Sequence, residues 1–328
     1  MFNYSDVTVE SLRKDLDNTI SECKELIKDL KASSEVKLNN FNDMESMIYD
    51  LSGRVAFLGD VHPDEKIRDF GNEADSKIQN FALEIFNDSG LYEKYNDIDI
   101  LNLDEEDLSF HKDLGLDFKD AGHGLSAEKK ERLIEIEKKL IELGISFSEN
   151  IAKDKTELMF LENELKGLSQ NELQNLRKEG SNFVITMAYP DINAVSENCS
   201  VRKTREVVWK AFNNRSVKEN SPILEEAVVL RNEKAKLFGF NTWSEYRLQN
   251  RMAKGPSNVS SMYEELIPKL QKAAGKEKDE LVIDNIKIND IAPWDIRYFV
   301  SAERAKVSKV ENSELKKYFY IHDVKNEM

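Results

Sequence analysis

Cysteine is almost missing from this chain. Only Cys23 and Cys199 occur, far apart in the sequence, which excludes a disulfide framework and a four-thiolate metal site. Two isolated thiols fit a reducing compartment, so the expected location is the cytoplasm. Long hydrophobic runs are missing too. No uninterrupted apolar stretch of about 18 residues appears, and Met1 to Ile20 mixes Asp, Glu, Arg and Lys among its apolar residues, so neither a signal peptide nor a membrane span is expected. Proline and glycine are scarce, 6 and 13 in 328 residues, beside 40% hydrophobic and 33% charged residues. That balance disfavours a loop-rich β-sandwich and a disordered chain and predicts a soluble, helix-rich protein of one large domain or two ordinary ones. Basic excess is also lacking. The formal charge of −15 is opposite to what phosphate neutralisation needs, so nucleic acid is not an expected partner.

Catalytic motifs are absent as well. No glycine-rich loop with Lys and Ser or Thr forms a phosphate cradle, and no G-x-S-x-G elbow presents a serine. A helical zinc hydrolase needs two His at i and i+4 on one helix face. The histidines are His62, His111, His123 and His322, with no two within four residues of each other. No catalytic, metal or cofactor-binding residue is therefore expected in this chain. His123 lies between Gly122 and Gly124, where backbone could approach a ligand, so it is weighed as a weak substrate contact against a turn with a solvated imidazole. His62 reads as a terminus-capping or surface residue. Cys199 has no His nearby in sequence and reads as an inert buried thiol. Asp104-Glu105-Glu106-Asp107 reads as a solvated loop. Trp294-Asp295 after Pro293 reads as a structural corner, with Asp295 accepting from backbone donors and Trp294 filling the core. Tyr298, Phe299, Tyr318 and Phe319 are expected to bury between helices.

What is present is helical periodicity. Leu12, Leu16, Ile20, Cys23, Ile27 and Leu30 recur at three- and four-residue steps, the mark of an amphipathic helix. A second run covers Phe41 to Leu58. Pro63 suits the first position of a third helix ending near Asn87. The pattern weakens from Asn96 to Gly124, and the glycines around His123 mark a break. Ser126 suits an N-cap, after which Leu133, Ile136, Leu140, Leu143 and Phe147 predict a long helix extending toward Leu165. Ser169 with Glu172, and Thr242 with Glu245, fit capping boxes. Phe183 to Tyr189, ending at Pro190, is the best strand candidate, so a small hairpin or sheet is expected there. Helices are predicted from Arg202 to Arg215, from Ser221-Pro222 to Gly239, and from Ser257 toward Lys278. A short strand is read over Val282 to Ile288, and a final helix over Tyr298 to Tyr318. Domain division is expected near residue 168, giving 1–168 and 169–328.

Several segments in order resemble the M3 metallopeptidases, the thimet oligopeptidase and oligopeptidase A group. They include His62-Pro63-Asp64-Glu65-Lys66-Ile67-Arg68, Asp117-Phe118-Lys119 through Gly124-Leu125, and Phe147-Ser148-Glu149-Asn150-Ile151. Arg205 with Ala211-Phe212 and Arg215, Leu230 through Phe240, and Pro293-Trp294-Asp295 with Tyr298 and Tyr318-Phe319 continue the similarity. The resemblance implies a mainly α, multi-helical, zincin-like N-terminal lobe with a small β element. It also implies that zinc, an H-E-x-x-H helix and a later Glu belong downstream of Phe319, so none of those residues is carried over here. The expected function is therefore that of a truncated or split oligopeptidase half, inactive alone, with short peptides and a C-terminal catalytic half as partners. The alternative is a non-catalytic peptide-binding or scaffold protein.

Overall fold

The computed structural model describes residues 4–280, 291–308 and 318–319. The chain is mainly α-helical and forms two compact units, each discontinuous in sequence: Met1–Ala152 with Lys218–Pro256, and Lys153–Val217 with Ser257–Met328. Residue 168, the division expected from the sequence, lies inside the second unit.

The first unit opens with α1 (Val9–Ala32), capped by a reciprocal pair between Thr8 and Ser11. Its expected apolar face packs inward, with Leu12, Leu16, Cys23 and Leu30 buried. α2 (Leu38–Leu51) then passes into a π-helical turn, Ser52–Ala56, before the single-turn α3 (Leu58–Val61). The run expected from Phe41 to Leu58 is thus widened by a π turn, in which the Phe57 N–H reaches the Ser52 carbonyl at 3.0 Å. α4 (Glu65–Asn87) starts later than Pro63 predicted. Asp64 is its N-cap, accepting from the Lys66 N–H, and Pro63 stays outside the helix. A carboxylate at the cap accepts from a free helix N–H, for which proline has no side-chain acceptor. α3 and α4 cross with almost no separation, because a Cβ on Gly71 would lie 2.3 Å from the Gly59 nitrogen.

α5 (Ser89–Asn96) and α6 (Glu105–Asp120) follow. The acidic run expected as a loop is the start of α6. Asp104 caps it by accepting from the Asp107 N–H at 2.9 Å, while Glu105, Glu106 and Asp107 occupy the first turn. Negative charge there meets the positive helix end. The break after α6 is as expected, with Gly122 at φ +94° and Gly124 at φ +97°. α7 (Ala127–Ala152) begins directly after Ser126 and stops before Leu158, rather than running to Leu165. α11 (Val217–Leu237) packs beside it: Arg132 clamps Glu233 at 2.7 and 2.9 Å, and Lys234 pairs with Glu137. α11 starts ahead of Ser221-Pro222, with Pro222 inside it; the missing proline N–H costs one intrahelical bond near the helix start. Gly239, at φ +85°, closes the helix, and the Thr242–Glu245 capping box starts α12 (Trp243–Leu248).

The second unit holds a three-stranded antiparallel sheet of order β1-β3-β2. β1 (Glu157–Phe160) pairs with β3 (Asn182–Thr186) in the register Glu157 to Thr186, and β2 (Lys178–Glu179) borders the other edge. Leu158, read as a continuation of α7, therefore lies in a strand; its apolar spacing suited a helix, but pairing with β3 gives its backbone partners. The Ser169–Glu172 box starts α8 (Gln170–Asn175) as expected. The strand expected through Tyr189 ends at Thr186, and Pro190 instead opens α9 (Tyr189–Asn198), a helix the sequence reading lacked. Proline is at home in a first helical turn. α10 (Arg202–Asn213), α13 (Pro256–Glu280) and α14 (Pro293–Ser308) complete the unit. Phe160, Leu165, Phe183, Ile185, Val195 and Val208 are among its core residues. The strand read over Val282 to Ile288, the end of the last predicted helix from 309 to 317, and His322 lie outside the described residues. Phe299 is buried as expected and Tyr298 half-buried, whereas Tyr318 and Phe319 are 81% and 69% exposed, contrary to their expected burial.

Candidate functional site

Among the described residues, a tightly built polar arrangement joins α10 to α14. Arg202 and Arg205 lie three residues apart on α10, on one helical face. Both reach Asp295 in the first turn of α14. Asp295 is fully buried, as is the Arg205 side chain at 2% exposure. Arg202 donates through Nη2 at 2.8 Å and Nε at 3.0 Å to Oδ2, and Arg205 Nη2 donates to Oδ1 at 2.8 Å. The Ala292 N–H adds a bond to Oδ2 at 3.0 Å. Arg205 also donates to the carbonyls of Cys199 and Trp294, and its guanidinium sits 4.2 Å from the centre of the Tyr298 ring. Burial pushes the Asp295 carboxyl upward, but Arg202 and Arg205 overcome this and hold it below the usual carboxylate range. A charge so fully matched is a positioning device rather than a reactive one.

Asp295 was expected to rely on backbone donors. Ala292 is one, yet the two guanidinium groups dominate. Trp294, expected to fill the core, is half-buried, with its ring edge-on to Trp209 at 5.8 Å and Lys210 Nζ 5.2 Å from its centre. Arg202 was not singled out in the sequence. The available signal was its spacing from Arg205, but the match to Asp295 spans 93 residues.

The three described histidines are used within the fold. His123 Nε2 lies 2.8 Å from the Phe86 carbonyl, so this nitrogen donates, and the ring stacks on Tyr92 at 4.2 Å. Burial, helped by Lys130, keeps the imidazole below its ordinary value against the pull of the Phe86 bond. The ring is half-buried and packed inward rather than solvated in its turn. His111 stacks on Tyr95 at 4.5 Å, and burial lowers it too. His62 Nδ1 accepts from the Asp64 N–H at the start of α4. Cys199 is buried in the core of the second unit, and burial raises its thiol. Among the described residues no three of His, Cys, Asp and Glu gather where they could hold a metal ion. They do not fit the zinc that the resemblance implies.

Two other segments that carry the resemblance hold neighbouring backbone and side chains in place. Arg68 donates to the carbonyls of His62 and Pro63 at 2.7 Å each. Asn150 donates to the Asn220 side chain at 2.8 Å, and Asn220, 5% exposed, donates to the Phe147 carbonyl.

The second unit also carries a surface of a different kind. α13 runs 25 residues, and Ser260 through Glu277 are exposed without a break. Its apolar residues Met262, Tyr263, Leu266, Ile267 and Leu270 are 38–55% exposed.

Residues 195–328 match the family described as Peptidase family M3. The chain is 30% identical to the thimet-like oligopeptidase of Dictyostelium discoideum, over 83% of this chain and 42% of that protein. It is 25% identical to oligopeptidase A of Haemophilus influenzae, over 96% of this chain and 50% of that protein. Saccharolysin of Saccharomyces cerevisiae is 26% identical, over 85% and 42%. The chain thus spans about half the length of the curated relatives it matches.

Proposed function

This chain belongs to peptidase family M3, and from that premise we propose that it is the scaffold half of an oligopeptidase, inactive alone and completed by a second, zinc-bearing half. The observation that carries the proposal is one-sided coverage: 83–96% of this chain aligns with only 42–50% of two oligopeptidases. The remaining length of those relatives has no counterpart in the alignment.

On this reading the chain contributes positioning. The Arg202–Arg205–Asp295 knot holds the start of α14 against α10, and Asn150 and Asn220 join α7 to α11. When bound by the other half, zinc would supply Lewis-acid activation of water for peptide hydrolysis. No step of that reaction is assigned to the residues described here. The substrate class is short peptides. A cytoplasmic location is part of the proposal, supported by two buried free thiols.

The test is cleavage of a quenched fluorogenic peptide in zinc-containing buffer. The purified chain alone should give the buffer rate. Co-expression with the part of the Dictyostelium thimet-like oligopeptidase outside its match to this chain should produce chelator-sensitive cleavage. Chelator-sensitive hydrolysis by the isolated chain would overturn the proposal, as would no gain from the second half.

A further inference from the structure

We infer that the apolar stripe of α13 is the seam on which the other half of the peptidase lays a helix of its own. The inference rests on the reading just proposed, but it concerns where the halves join rather than whether the joined protein is active. Met262, Tyr263, Leu266, Ile267 and Leu270 follow three- and four-residue steps along α13, the spacing of a face made for burial. These side chains are instead 38–55% exposed. Helices in proteins draw most of their stability from packing such a face, and a contiguous exposed apolar patch marks an interaction surface.

Length and charge select the occupant. The relatives carry about as much chain again as they share with this one, which provides a partner of the right kind. Lys272 and Lys276 border the C-terminal part of α13, with Glu277 beside them, while Lys269 is already paired with Glu265 one turn before it. A partner helix with apolar residues at the same spacing and carboxylates facing Lys272 and Lys276 would complement both the stripe and its border. A second copy of this chain is the poorer fit, because each copy brings a formal charge of −15 and like charges oppose association.

The experiment co-expresses this chain with the unmatched part of the Dictyostelium protein and measures complex formation by affinity capture and sedimentation, apart from peptidase activity. The wild-type chain should form a one-to-one complex. The double variant Leu266→Glu/Leu270→Glu should weaken it by about tenfold or more, as loss of a central apolar anchor does. Leu224→Glu, at a residue 52% exposed on α11, should leave it unchanged. Circular dichroism should show all three chains equally helical, because the substituted side chains are exposed. Failure of the wild-type chain to form the complex, or capture of the double variant at wild-type strength, would overturn the inference. So would a stripe-dependent dimer of this chain, or stripe-dependent binding to phosphatidylserine vesicles, in place of the complex. A stripe-dependent complex without peptide cleavage would overturn the proposed function and leave the docking seam standing.

Discussion

Replacing Asp295 by alanine should cost the second unit about 4 kcal/mol. The figure comes from two partners of unequal burial. Arg205 and Asp295 have side-chain exposures of 2% and 0%, and removing one member of a buried pair costs roughly 3–5 kcal/mol because the remaining charge stays desolvated. Arg202 is 43% exposed, so its share is screened by water and adds about 1 kcal/mol at most. The assay is urea unfolding followed by tryptophan fluorescence. Trp209 and Trp294 lie edge-on in the second unit at 5.8 Å, and a Trp243→Phe background silences the reporter in the first. With a slope of roughly 1–3 kcal/mol per M, the midpoint should fall by more than about 1 M. Asp295→Asn keeps the shape but drops the charge, so its loss should be smaller. The sign with pH also follows. The folded carboxyl is held below its ordinary value, so its stabilisation is present above the unfolded value of about 3.9 and is lost as pH falls through the lower folded value. The gap between wild type and Asp295→Ala should stay constant from pH 7 to about 5 and close only below about 4. A loss under about 1 kcal/mol would show that water screens this pair, and a gap already closing at pH 6 would show that another titrating group sets it; either result refutes the reasoning.

Two further perturbations separate packing from titration. Gly71→Ala should destabilise the first unit by about 1–3 kcal/mol, since overpacking strains the backbone and its Cβ would meet the Gly59 nitrogen at 2.3 Å. Gly144→Ala, in an exposed part of α7 with nothing within 4 Å of the new Cβ, should instead stabilise by about 0.5–1 kcal/mol; thermal melts of both variants would expose an error in either sign. Glu45 is pushed up to about 7 by burial and then by Asp117. Its raised value means the folded state is favoured while the carboxyl is protonated, and that advantage is lost between about pH 4.5 and 7. Glu45→Gln should therefore stabilise at pH 8, by roughly 3 kcal/mol at most, and change little at pH 4; equal urea midpoint shifts at both pH values would contradict this.

Much of the helical fold was legible where a local rule acts alone. The three- and four-residue spacing in α1 predicts the side that buries Leu12, Leu16 and Cys23. The capping pairs Ser169–Glu172 and Thr242–Glu245 mark α8 and α12 because both partners lie within one turn. Reading was weaker where two local rules compete. Asp104 through Asp107 is as polar as a loop, but it is also a capped helix start, and the weak amphipathicity of the segment hid the second meaning. Pro190 could end a strand or open a helix, and the structure uses it for the helix. Leu158 continues an apolar helical spacing, and only the presence of β3 beside it makes a strand.

The sequence by itself determined the helical class, most helix starts and the lack of a local catalytic motif, because each depends on residues within one or two turns of one another. Tertiary structure alone decided that His123 turns inward onto Tyr92 and Phe86, that Asp295 meets Arg202 and Arg205 across about ninety residues, and that the stripe of α13 faces water. The physical reason is common to all three. Spacing along the chain tells which side chains share a face, but burial, charge pairing and exposure depend on what is packed against that face.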